Sequence, residues 1–129
     1  MSFATPPKIL IVDDEPNIAI AIDFLMQQQG FLTQVVHDGE AALQAVATFQ
    51  PNLIILDVMM PEKDGFEVAM ALRRNATKLA PKLVFLTAKG TTGDKMEGYR
   101  SGGDAYLTKP FDNQQLIDTV TEMLEFEHF

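Results

Sequence analysis

The stretch Ile9-Leu-Ile-Val-Asp-Asp-Glu-Pro16 decides how the rest of the chain is read. Four apolar residues in a row, three of them β-branched, read as a short strand covered on both faces. The run stops on three consecutive carboxylates. Pro16 then stands where a helix begins, a position at which its missing N–H costs nothing. Strand, acidic rim and helix start all fall within this one segment.

Working outward, the pattern recurs although the sequence does not. Further apolar runs lie at Leu32–Val36, Leu53–Leu56, Leu83–Leu86 and Ala105–Leu107. Amphipathic stretches separate them. Ile18, Ile22, Leu25 and Met26 share one face of a helix that starts at Pro16 and stops at Gly30. Ala41, Ala42, Ala45, Val46 and Phe49 form a second stripe, closed by Pro51. Phe66, Val68, Ala69, Ala71 and Leu72 form a third after Gly65, and a fourth helix is predicted from about Thr92 to Ser101. The last begins at Asp112, which with Gln115 reads as a capping box, and turns Leu116, Ile117, Val120 and Leu124 inward. Strands alternating with helices predict an α/β fold: a five-stranded parallel sheet with helices on both faces.

Ligands of open α/β sheets bind beyond the carboxyl ends of the strands. Asp13, Asp14 and Glu15 follow the first run, His37 and Asp38 the second, Asp57 the third, Thr87 the fourth, and Lys109 the fifth. Carboxylates crowded on one rim repel, so they take up protons or bind a cation. Oxygen ligands without His or Cys favour Mg²⁺, Mn²⁺ or Ca²⁺ over zinc. Mg²⁺ keeps waters it can exchange for phosphate oxygens, and a lysine and a hydroxyl suit the oxygens that remain. An aspartate is also a competent phosphoryl acceptor. The single histidines, His37 and His128, read as surface residues, and Gly65 as a tight turn.

Composition narrows the field. At 129 residues with 47% hydrophobic content, one folded domain is expected. The absence of Cys excludes disulfides, thiolate zinc sites and thiol nucleophiles. A net charge of −8 argues against direct nucleic-acid binding. The N-terminal segment carries no apolar signal core, which predicts a cytoplasmic protein without a membrane span.

Taken together, Ile9–Pro16, Leu56-Asp-Val-Met-Met-Pro61 with Asp64-Gly65, Thr87-Ala88 and Tyr106-Leu-Thr-Lys-Pro-Phe111 resemble the response regulator receiver domain of two-component signalling. The resemblance runs from Lys8 to Leu124. It implies a flavodoxin-like, doubly wound fold with strand order 2-1-3-4-5, the domain spanning 8–126 between tails at 1–7 and 127–129. It implies Asp57 as phosphoacceptor, and Mg²⁺ (or Mn²⁺) on Asp13, Asp14, Asp57 and the backbone carbonyl of Met59. Lys109 would pair with Asp57 and then with the phosphoryl group. Thr87 would be the switch hydroxyl and Tyr106 the switch aromatic, and a cis peptide bond before Pro110 would aim Lys109 inward.

The same resemblance implies a phosphorelay protein that catalyses only its own phosphorylation and dephosphorylation. A sensor histidine kinase or phosphotransfer protein would be the donor. A downstream protein would read the face formed by 92–101, 104–107 and 112–125. Met59 and Lys89 hold the positions that tune phosphate lifetime, and neither suits an attacking water, so slow self-dephosphorylation is expected. Arg100, Ala105 and Thr119 depart from the pattern of regulators that pair through salt bridges, which leaves a monomer or a weak phosphorylation-dependent dimer.

Two other readings compete. A haloacid-dehalogenase-like phosphatase also uses an aspartyl phosphate, but wants a second Asp where Met59 stands. A receiver that has lost its chemistry would lack some of the key residues, and all are present.

Overall fold

The first strand, β1 (Lys8–Val12), lies inside the sheet rather than at its edge. In the computed structural model, which describes residues 5–58, 65–74, 81–87 and 103–125, β1 pairs on one side with β2 (Leu32–Val36) and on the other with β3 (Leu53–Asp57). Beyond β3 come β4 (Lys82–Thr87) and β5 (Ala105–Thr108). Every pairing is parallel, and the order is β2-β1-β3-β4-β5. This is the order the family resemblance implies. The strands run a residue or so beyond their apolar runs, because Lys8, Asp57, Lys82, Thr87 and Thr108 join the pairing without contributing an apolar side chain.

Strand alternation divides the core in two. Ile9, Ile11, Leu53, Ile55, Val84, Leu86 and Leu107 face one side. There α1 (Pro16–Gln28) supplies Ile22 and Met26, and α4 (Asn113–Glu125) supplies Leu116, Val120 and Leu124. Leu10, Val12, Ile54, Leu56, Leu83 and Phe85 face the other side. They meet Ala42 and Ala45 of α2 (Gly39–Phe49) and Val68 and Ala69 of α3 (Gly65–Arg74). Both faces are therefore covered, which is why the central strands carry uninterrupted apolar runs. Each fully buried Leu, Ile or Phe here contributes about 1.5–3 kcal/mol relative to exposure. The edge strands differ: β2 and β5 are only partly buried, and Leu32 is half exposed.

Local signals set the helix ends. Pro16 occupies the first turn of α1, whose N-cap Glu15 is extended and makes no side-chain cap. Gly30, with φ of 91°, carries the chain out of that helix into β2. Asp38 caps α2 by accepting a hydrogen bond from Ala41 N at 2.7 Å. Asp112 does the same for α4, accepting from Gln115 N at 2.6 Å. Gln50, left-handed with φ of 53°, ends α2 ahead of Pro51. The helix predicted from about 92 to 101, with Met59, Lys89 and Arg100, lies outside the described residues. Among the described residues no helix is long and apolar enough to cross a membrane.

Candidate functional site

The chain leaves β1 toward β2 at one edge, and everything from β3 onward builds toward the other. The crevice at this reversal lies beyond the carboxyl ends of β1 and β3. Asp13 and Asp57 stand there, each only 1% exposed, and Thr87 at the end of β4 is fully buried. Buried charge at a strand end demands compensation.

Asp13 is held from several directions. Its amide donates to Val36 O at 3.2 Å, continuing the β1–β2 ladder by one residue. Its Oδ1 accepts from Glu15 N at 2.9 Å. Lys109 follows β5, and its amide donates to Thr87 O at 2.6 Å, so the end of β4 fixes where the lysine departs. Its Nζ reaches 3.4 Å from Asp13 Oδ2, 3.6 Å from Asp57 Oδ1 and 3.9 Å from Glu15 Oε1. The Lys109–Pro110 peptide is cis, as expected.

One carboxylate oxygen from each of Asp13, Asp14, Glu15 and Asp57 lies within 4.8 Å of the others. Among the described residues four carboxylates thus meet one ammonium, and the imbalance favours a cation. Asp14 Oδ1 is buried and accepts no hydrogen bond among the described residues, an acceptor that a divalent ion would satisfy. The donors are all hard oxygens, so the residues fit an oxygen-loving divalent cation.

The structure therefore brings together Asp13, Asp14, Asp57 and Lys109 from the ends of strands far apart in sequence. Thr87 joins them through the Lys109 backbone. Tyr106 lies on the Phe85 face of the sheet, its ring 6.2 Å from that of Phe85. By strand alternation Thr87 shares this face.

Three contributors were not singled out for the site from sequence. Glu15 shares the acidic cluster although it is largely exposed; its position beside Asp13-Asp14 was the available signal. His37 is exposed, as expected, yet its Nδ1 lies 3.0 Å from Asp13 O. Gly65 does more than turn the chain. A Cβ there would sit 2.5 Å from Asp57 O and 2.8 Å from Val58 Cα, so α3 starts pressed against the Asp57–Val58 backbone. Gly65 N also donates to Val58 O at 3.0 Å.

A known family matches most of the chain. The family model for the response regulator receiver domain matches residues 9–121. The chain belongs to the response regulator receiver family. The receiver is 39% identical over 118 residues to the DNA-binding dual master transcriptional regulator RpaA of Synechocystis sp., covering 92% of this chain and 49% of RpaA. It is 40% identical over 117 residues to the alkaline phosphatase synthesis transcriptional regulatory protein PhoP of Bacillus subtilis, covering 91% of this chain and 48% of PhoP. The receiver thus spans about half the length of these curated relatives. Among solved structures, the receiver domain of Francisella response regulator 1452 superposes with a TM-score of 0.87 at 36% identity, covering 94% of this chain and 98% of that one. Chemotaxis protein CheY4 of Vibrio cholerae superposes with a TM-score of 0.87 at 29% identity, covering 92% of this chain and 99% of that one. The receiver is thus homologous to the response regulators of two-component systems.

Proposed function

We propose that Asp57 is the phosphoacceptor and that a sensor histidine kinase or phosphotransfer protein is the donor. An Asp57 carboxylate oxygen attacks the phosphorus of a phosphohistidine. The new O–P bond forms as the N–P bond breaks, and the electron pair returns to the donor imidazole, which takes up a proton. The observation that carries this reading is a buried aspartate facing a lysine and sharing a cluster with three other carboxylates.

Mg²⁺ is the proposed cation, with Mn²⁺ an alternative, held by Asp13, Asp14 and Asp57 and by the carbonyl of Met59. When bound, it neutralises charge on the transferring phosphoryl oxygens. The remaining work belongs to this chain. Lys109 offsets the carboxylates before transfer and then pairs with the phosphoryl group. Thr87 is drawn toward the new phosphate, and Tyr106 turns into the space it leaves. The face built from 92–101, 104–107 and 112–125 then presents a different surface to a partner protein. This is self-modification rather than turnover of a substrate.

Borohydride reduction of the phosphorylated protein tests the site. Reduction converts an aspartyl phosphate to homoserine, and the modified peptide is expected to contain position 57. Homoserine at another aspartate would refute the assignment. The expected slow loss of phosphate rests on Met59 and Lys89. Decay of the phosphorylated protein is expected over many minutes, and a half-life of seconds would contradict it.

A further inference from the structure

We infer that His37 is a positioning residue for the metal pocket: its ring holds the peptide between Asp13 and Asp14, and so aims the Asp14 carboxylate. This rests on the reading of the acidic cluster as a cation site. The β1–β2 ladder pairs Val12 with Val36 and continues through Asp13 N to Val36 O. At the next acceptor, Asp13 O, the partner is a side chain: His37 Nδ1 at 3.0 Å. A carbonyl oxygen can only accept. The contact is a hydrogen bond only if Nδ1 carries the proton, which leaves Nε2 facing outward.

The location gives that bond its consequence. The Asp13 carbonyl belongs to the peptide plane that leads into Asp14. Fixing the oxygen fixes the rotation of that plane, and with it the direction in which the Asp14 side chain leaves the backbone. Asp14 needs such help, because its buried Oδ1 accepts no hydrogen bond among the described residues. Asp13 is oriented separately, by Glu15 N on its own carboxylate. Thus one aspartate of the pair is aimed through its side chain, the other through its backbone by way of His37. Partners one shell removed from a cation commonly contribute in this way.

His37 is exposed, so truncating it opens no core cavity, and stability and aim can be separated. Three variants read the role. Asn places its Nδ2 at the same bond count from Cβ as Nδ1 of His, whereas Gln places its amide where Nε2 would be. Titration of the whole protein with Mg²⁺ alone, followed by calorimetry, is expected to show His37→Ala and His37→Gln weakened about tenfold. His37→Asn is expected to bind within about twofold of the parent, and the metal-free melting temperatures should agree closely, as for surface changes in general. In the metal-free parent, long-range proton–nitrogen NMR is expected to find neutral His37 as the Nδ1–H tautomer. An Nε2–H tautomer, or variants that all bind like a parent that does take up Mg²⁺, would overturn this inference and leave the cation site standing. A parent that fails to bind Mg²⁺ would overturn the cation reading and this inference with it.

Discussion

Gly65 sets how closely α3 can approach Asp57. A methyl group there would meet backbone on two sides, at 2.5 and 2.8 Å, and backbone cannot rotate away as a side chain can. Gly65→Ala is therefore expected to cost about 1–3 kcal/mol by denaturant unfolding, and to slow phosphorylation of Asp57 because the acceptor loop must shift. Normal phosphorylation with unchanged stability would show that the loop absorbs the group freely. Asp14 makes the opposite case. It contributes negative charge to a crowded pocket and gains no hydrogen bond at Oδ1 in return. Asp14→Asn is expected to stabilise the metal-free protein by about 1 kcal/mol, the size of one Coulomb pair screened as in bulk water. It should also abolish the stabilisation by Mg²⁺, which for the parent is about 2.7 kcal/mol at a hundredfold excess over Kd. Melting curves with and without Mg²⁺ read both effects. Asp57, Asp13, Asp14, Lys109 and Thr87 were legible as a set because each lies within two residues of the end of an apolar run. The roles of Glu15, His37 and Gly65 depend on distances across the fold that spacing along the chain does not carry.

The elements form where local chemistry and burial agree. All five apolar runs became strands. Pro16, Asp38 and Asp112 each sit at a helix start as their side chains or ring suggest. Asp57 and Thr87 show where reading by hydrophobicity stops short. They are polar, so an apolar run ends before them, yet their backbones still pair. Gln50 is the element-scale anomaly. It holds a left-handed conformation that costs a side-chain-bearing residue about 1–2 kcal/mol. Gln50→Gly relieves that cost but loosens the unfolded chain by part of the same amount. The net expectation is a gain of about 0.5–1 kcal/mol, read by thermal or denaturant unfolding with the Asp57 chemistry unchanged. A loss of stability would mean that the Gln50 side chain has a packing role at the Asn52 end of β3.

At the scale of the molecule, the sheet order places the chemistry. β1 and β3 are neighbours at the point where the chain reverses its direction of growth, so Asp13 and Asp14 come to face Asp57 although more than forty residues separate them. That order was not readable from periodicity, since β1, β3 and β4 are near-identical aliphatic runs. It came from the resemblance, which the strand pairing then bears out. The half-buried strands β2 and β5 mark the edges, in keeping with Thr33 and Gln34 interrupting the second run and with the shortness of the fifth. In the function proposed above, this architecture carries one phosphoryl group on Asp57. Incubation with acetyl phosphate and Mg²⁺, followed by intact-protein mass spectrometry, tests it most directly. The parent is expected to gain a single phosphoryl mass that chelation of Mg²⁺ prevents, and Asp57→Asn is expected to gain none. A parent that stays unmodified, or an Asp57→Asn variant that is still phosphorylated, would contradict the account.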